Sequence, residues 1–175
     1  MKRSATLSLI TLISGAYLLN LVYPEFYDYT ALFRPFVDSG EYWRLFTVAL
    51  VHGGLTHLFF NMFSLLVLGN PVEAALGKAR FLTIFFVSLL TGSLASVYLS
   101  SYPYVSVGAS GAVFGLFGAF AVVSKRYGLE IKSIAVIVGI NFAMGFVIGG
   151  VDWRAHLGGL IGGSIAAALL LPKRR

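Results

Sequence analysis

The feature that most constrains this chain is a series of six apolar runs, each separated from the next by charged or turn-forming residues: 5–23, 55–70, 81–100, 109–124, 133–149 and 155–171. A helix that crosses a bilayer needs about 20 mostly apolar residues. Irregular backbone in hydrocarbon would leave its N–H and C=O groups unpaired, so the runs predict helices. The expected fold is an all-α membrane protein, a bundle of six spanning helices. At about 29 residues per crossing with its connection, the 175 residues form one domain, 1–175, with no separate soluble domain expected. Composition points the same way: 58% of residues are hydrophobic and 11% charged, against about a quarter charged in soluble domains. A soluble globule and a disordered tail are excluded, and the absence of cysteine excludes a disulfide-stapled module. The first run follows Lys2 and Arg3, as a signal peptide would, but no clear small-x-small cleavage site follows it. It is therefore read as a helix.

Charge orients the bundle. With the amino terminus inside, the inner regions hold Lys2, Arg3, Lys78, Arg80, Lys125, Arg126, Lys132, Lys173, Arg174 and Arg175, ten of the 13 basic residues. Only Arg34, Arg44 and Arg154 fall outside, together with Glu25, Asp28, Asp38, Glu41 and Asp152. Both termini are expected in the cytoplasm. The net charge of +6 then reflects inner loops and not nucleic-acid binding. The one long connection, 24–54, carries Phe26, Tyr27, Tyr29, Phe33, Phe36, Tyr42, Trp43 and Phe46. Rings of this kind favour the headgroup zone, so short amphipathic pieces lying on or partly in the membrane are expected. The chain shows no internal repeat, which speaks against a transporter.

Ionisable and amide side chains within or beside the spans are few, and those singled out are His52, His57, Asn61, Asn141 and His156. Such groups are costly in lipid, so each is a functional candidate. Asn141 is read as bonding a neighbouring helix. His57 and Asn61 share one helical face, with Asn61 about 6 Å deeper; alone, the pair serves equally well as packing or as chemistry. The fourth run opens with Gly108-Ala-Ser110-Gly111 after an uncharged loop. Its 16 residues make about 24 Å of helix, short of a hydrocarbon core of about 30 Å, so the helix is expected to start below the outer surface. Ser110 would then sit at a helix amino terminus in a recessed wet cavity, where unpaired N–H groups favour an oxyanion. In the sixth run His156 shares a stripe with Gly159 and Gly163, and the fourth run has the matching small stripe Gly111, Gly115 and Gly118. Packing the two stripes together brings His156 level with Ser110, a base beside a nucleophile.

These residues resemble those of the rhomboid intramembrane serine proteases. The resemblance rests on Gly108-x-Ser110-Gly111, His57-x-x-x-Asn61, Trp43-Arg44, and Ala-His156-x-x-Gly159-x-x-x-Gly163, in that family's order and spacing, and it covers nearly the whole chain as a six-helix core form. It implies a Ser110 nucleophile and a His156 general base. It also implies an oxyanion hole of Asn61, His57 and the Ser110 backbone N–H, with Gly108 shaping the loop. Phe114 would pack against the catalytic histidine, Trp43 and Arg44 would support the first loop, and Glu73 fits a structural acid. The family often has a further histidine at the position of Val48; here that residue is missing while His52 is present, and His52 is read as making a structural hydrogen bond.

Asp152, four residues before His156, is expected to fall before the helix and not to complete a triad, so Asp152→Asn should keep turnover within several-fold of wild type. The expected activity is endoproteolysis of transmembrane protein substrates in or near their spans. Substrate would enter from lipid between helices two and five, with 149–154 as a lid, and a prokaryotic cell membrane is the expected location. No cofactor is expected, and no metal, since the histidines lack an acidic ligand of the H-E-x-x-H kind. Two other classes remain: an inactive rhomboid-like protein that binds membrane clients, and a small channel or transporter. Clustering of the polar residues at outer helix ends argues against a conduit, which needs them at several depths.

Overall fold

Ser4 opens the first long helix by accepting the Leu7 N–H on its hydroxyl at 3.3 Å, which satisfies one of the orphan donors of a helix start. In the computed structural model, which describes residues 4–128, 130, 132, 136, 139, 140 and 151–172, this helix is α1, Ala5–Val22. It buries Ala5, Leu9, Ile13 and Tyr17 at helical spacing, while Leu7, Leu12, Leu18 and Leu21 remain exposed. An outer face of bare leucines suits lipid as solvent. The fifth expected span, 133–149, lies outside the described residues apart from 136, 139 and 140, and Asn141 lies outside them too.

Residues 24–54 form short pieces: α2 (Glu25–Thr30), β1 (Leu32–Phe33), α3 (Arg34–Asp38), α4 (Arg44–Thr47) and a 3-10 turn at Val48–Leu50. The buried Arg44 holds them together. Its guanidinium donates to Glu41 at 2.7 Å and to the carbonyls of Asp28 and Ala31 at 2.6 and 2.7 Å, and lies over the Phe36 ring at 4.4 Å. A planar fork of donors suits this pattern of divergent acceptors. Trp43 adds an indole N–H bond to the Tyr29 carbonyl at 3.2 Å.

Two long helices follow, α5 (Leu55–Leu76) and α6 (Lys78–Tyr98). With α1 they are long and apolar enough to cross a membrane. Helix α5 continues six residues beyond the expected end at Asn70, passing through Pro71. The extension carries Glu73, whose carboxylate accepts the Ala5 and Thr6 N–H groups and the Ser4 and Thr6 hydroxyls at 2.7 to 2.8 Å. An acid on one helix thereby caps the start of another.

The last long helices are α7 (Ser110–Tyr127) and α8 (Trp153–Leu170). Helix α7 runs three residues past its expected end through Lys125 and Arg126, because only Gly128, left-handed at φ +68°, terminates it. Helices α6, α7 and α8 pack against one another with glycine at the contacts. A Cβ built on Gly159 would strike the Gly111 carbonyl, and one on Gly163 the Gly115 carbonyl. On α6, a Cβ at Gly92 would meet the Ala155 carbonyl at 2.8 Å. Close backbone approach replaces side-chain interdigitation here, as is common between helices in lipid. The small β1 strand pairs antiparallel with β2 (Val105–Ser106), joining the first connection to the segment that leads into α7.

Candidate active site

The expected meeting of the two small-residue stripes occurs. Glycines at 111, 115, 159 and 163 let α7 and α8 touch backbone to backbone, and at the outer end of this seam the His156 Nε2 lies 2.9 Å from the Ser110 hydroxyl. That is hydrogen-bond reach for proton transfer. Ser110 is the first residue of α7, and His156 stands in the first turn of α8 with its N–H bonded to the Asp152 carbonyl at 3.1 Å. Phe114, one turn below Ser110, stacks flat on the imidazole with centroids 4.1 Å apart and planes 9° apart. Ring position is thus set from the face by Phe114 and from the edge by Ser110.

Among the described residues the His156 Nδ1 has no hydrogen-bond partner. Asp152 is occupied elsewhere. Its Oδ1 accepts the Ala155 N–H at 3.1 Å as the cap of α8, and its Oδ2 accepts the Ser106 hydroxyl at 2.9 Å.

A second group of residues surrounds the chain just before Ser110. Gly108 has φ +111°, and a Cβ there would fall 2.8 and 2.9 Å from Cε1 and Nε2 of His57, so backbone and space both demand glycine. The Gly108 N–H is tied to the Val48 carbonyl at 2.9 Å. The Gly53 N–H donates to His57 Nδ1 at 3.4 Å. The His57 proton therefore sits on Nε2, the nitrogen beside Gly108. Asn61, buried one turn deeper, gives one amide N–H to the His57 carbonyl at 2.9 Å and keeps a second. His52 packs edge-on to His57 with centroids 5.1 Å apart, and its Nε2 accepts the Ala109 N–H at 3.5 Å. Burial first, and then the neighbouring His57, hold the His52 imidazole down to about 3, so the ring is neutral and able to accept. This is the structural hydrogen bond that its position suggested. Trp43 and Arg44 lie in the first connection and act on its internal bonds.

Sequence reasoning missed Ser106, Tyr104 and the small positions of α6. For Ser88, Thr91, Gly92 and Ala95 a signal existed, the same recurrence of small residues at three and four that exposed the α7 and α8 stripes. Ser88 lies against Gly115, and Ala95 against Gly158. For Ser106 there was none, because a two-residue strand has no period to read.

A family model described as Rhomboid domain matches residues 39–173. The chain belongs to the rhomboid family. It is 45% identical over 143 residues to "Rhomboid protease GluP" of Bacillus subtilis (strain 168), an alignment covering 78% of this chain and 28% of that protein. Against "Putative rhomboid protease YdcA" of the same organism it is 38% identical over 143 residues, covering 79% of this chain and 72% of the other. Likeness extends to a protein named as inactive, "Inactive RHOMBOID-like protein 8" of Arabidopsis thaliana, at 36% over 136 residues, 73% of this chain and 38% of that one. This rhomboid therefore spans from about a quarter to nearly three quarters of the length of these relatives. Family and apolar helices together make it an integral membrane protein.

Proposed function

We propose that this rhomboid is an intramembrane serine endopeptidase working with a Ser110–His156 dyad. The observation that carries the reading is the 2.9 Å bond between His156 Nε2 and the Ser110 hydroxyl. In the reaction, Nε2 takes the hydroxyl proton as Oγ attacks the scissile carbonyl carbon. The charge that develops on the carbonyl oxygen meets N–H donors: the Ser110 backbone, His57 Nε2 and the second amide proton of Asn61. Collapse of the tetrahedral adduct breaks the C–N bond, and His156 returns its proton to the leaving amine. Water, deprotonated by the same nitrogen, then hydrolyses the acyl-enzyme and restores Ser110. No cofactor takes part.

Substrates are transmembrane segments of other membrane proteins, cut near their outer ends. A hydrogen-bonded substrate helix shields its carbonyls, so the segment must unwind to react. The full bundle has six spanning helices with both termini in the cytoplasm and a first connection resting in the outer headgroup zone. Ser110 lies below the outer surface, and substrate enters from lipid between the second and fifth spans. A prokaryotic cell membrane fits the charge asymmetry of the loops.

The test is reconstitution in vesicles with a fluorescent transmembrane substrate. Wild type cleaves it and takes a serine-directed phosphonate on Ser110, whereas Ser110→Ala and His156→Ala do neither. Cleavage that survives Ser110→Ala overturns the serine mechanism. The relative named as inactive supplies a second reading, a client-binding rhomboid. Binding of a membrane client by wild type with no turnover and no phosphonate adduct would favour it.

A further inference from the structure

The Asp152 carboxylate touches two segments that the chemistry needs at a fixed separation. Its Oδ1 caps α8 at the Ala155 N–H, one residue before His156, and its Oδ2 accepts the Ser106 hydroxyl, four residues before Ser110. Tyr104 stands near the same carboxylate, and its hydroxyl meets Ser96 Oγ of α6 at 3.3 Å. Burial, then the neighbouring Asp152, pushes the Tyr104 phenol up to about 12, so it is neutral beside the carboxylate. Ser106 is itself anchored. It pairs with Leu32 of β1, and two residues later the Gly108 N–H is tied to Val48.

We infer that Asp152 is a positioning residue, a clamp that fixes the start of the His156 helix against the strand leading into Ser110. The glycine seam sets how closely α7 and α8 approach, and Ser164 of α8 seated against Gly118 holds the two helices together farther along the seam. At the outer end the carboxylate supplies a further axial stop, because a shift of α8 there breaks either the Ala155 bond or the Ser106 bond. A 1 Å displacement of a base from its nucleophile typically lowers turnover by about 100-fold, so a modest clamp has a large kinetic lever. An amide satisfies the same geometry: Asn caps helices as well as Asp does, and its NH2 donates to the Ser106 oxygen in place of accepting from it.

This inference rests on the proteolytic reading, and the experiment separates the two. Wild type, Asp152→Ala, Asp152→Asn and Ser106→Ala are compared in vesicles for kcat and KM, and by hydrogen exchange of the segments 105–110 and 153–157. Asp152→Ala is expected to lower kcat by about 10- to 100-fold with KM nearly unchanged. Asp152→Asn is expected to recover turnover to within several-fold of wild type, and Ser106→Ala to fall between the two. Exchange should rise in both segments for Asp152→Ala, and it reports on the clamp even if wild type cleaves nothing. Faster exchange confined to 153–157 would reduce Asp152 to a local helix cap and overturn the inference. So would an Asp152→Ala enzyme with wild-type kcat, or an Asp152→Asn enzyme as slow as Asp152→Ala.

Discussion

Gly159 lies so close to the Gly111 carbonyl that no Cβ fits between them. The contact sits next to the Ser110–His156 pair, so the close approach of α7 and α8 there depends on a glycine at position 159. Gly159→Val should push α8 off α7, abolish phosphonate labelling of Ser110, and lower stability by roughly 1–3 kcal/mol, as overpacking does. Thermal unfolding in detergent together with labelling checks this. Wild-type labelling in the valine variant would show that the seam does not control the site.

The proposed oxyanion donors, Asn61 and His57, should act on kcat. Removing one typically lowers turnover by about 100- to 1000-fold, so Asn61→Ala is expected to lose about that much with little change in thermal stability. His57→Ala should behave similarly. Single-turnover cleavage kinetics in vesicles decide it, and a variant that raised KM alone would move Asn61 from the reaction to substrate binding.

Phe114 stacks on the His156 ring at 4.1 Å. Aromatic pairs contribute about 0.5–1.5 kcal/mol beyond their buried area. Phe114→Leu should keep the fold and lower kcat by about 2- to 10-fold through a looser imidazole, while Phe114→Tyr or Trp should hold the ring better than Leu. Equal rates for all the variants would show that the stack does not orient the base.

Glu73 joins α5 to the start of α1 through four accepted hydrogen bonds. Hydrogen bonds to charged groups typically contribute about 1.5–3 kcal/mol each, though not additively. Glu73→Gln should lower stability by roughly 2 kcal/mol. Cleavage well below the unfolding temperature should persist, since the acid is remote in the fold from Ser110. A loss of activity without a loss of stability would contradict this assignment.

Arg44 bonds two backbone carbonyls and Glu41 from a buried position. A lysine cannot reach all three with a planar fork. Arg44→Lys should loosen the first connection, seen as faster protease nicking within 24–54, and lower stability by roughly 1–3 kcal/mol for the carbonyls left unpaired. Nicking at the wild-type rate would show that the loop is held by its other contacts.

Much of the site was legible beforehand because ionisable and amide side chains are scarce within the apolar runs. His156, His57 and Asn61 stood out by type, Ser110, one of 15 serines, by its glycine flanks and its expected place at a recessed helix start, and the glycine stripes gave the pairing of α7 with α8 from helical periodicity. Three of the expected spans, those in α1, α5 and α6, were legible from their length, which the bilayer dictates. The helix ends were less legible. Helix α5 outruns its apolar stretch because Glu73 finds partners on α1, and α7 outruns its own because helix hydrogen bonds continue through Lys125 and Arg126 until Gly128 reverses the backbone. Termini answer to capping and tertiary bonds, and hydrophobicity alone does not report those.

The sequence by itself determined the solvent, the helical class and the residues that meet at the α7–α8 seam, since each follows from local composition and from periods of three to four residues. The tertiary structure decided what no local period encodes. It turned Asp152 away from His156 and toward Ala155 and Ser106, gave His57 a proton on Nε2 through the Gly53 N–H, and set the His52 ring against Ala109. These are single hydrogen bonds between segments distant in the chain or bent back on a turn. Their geometry exists only once the helices are packed.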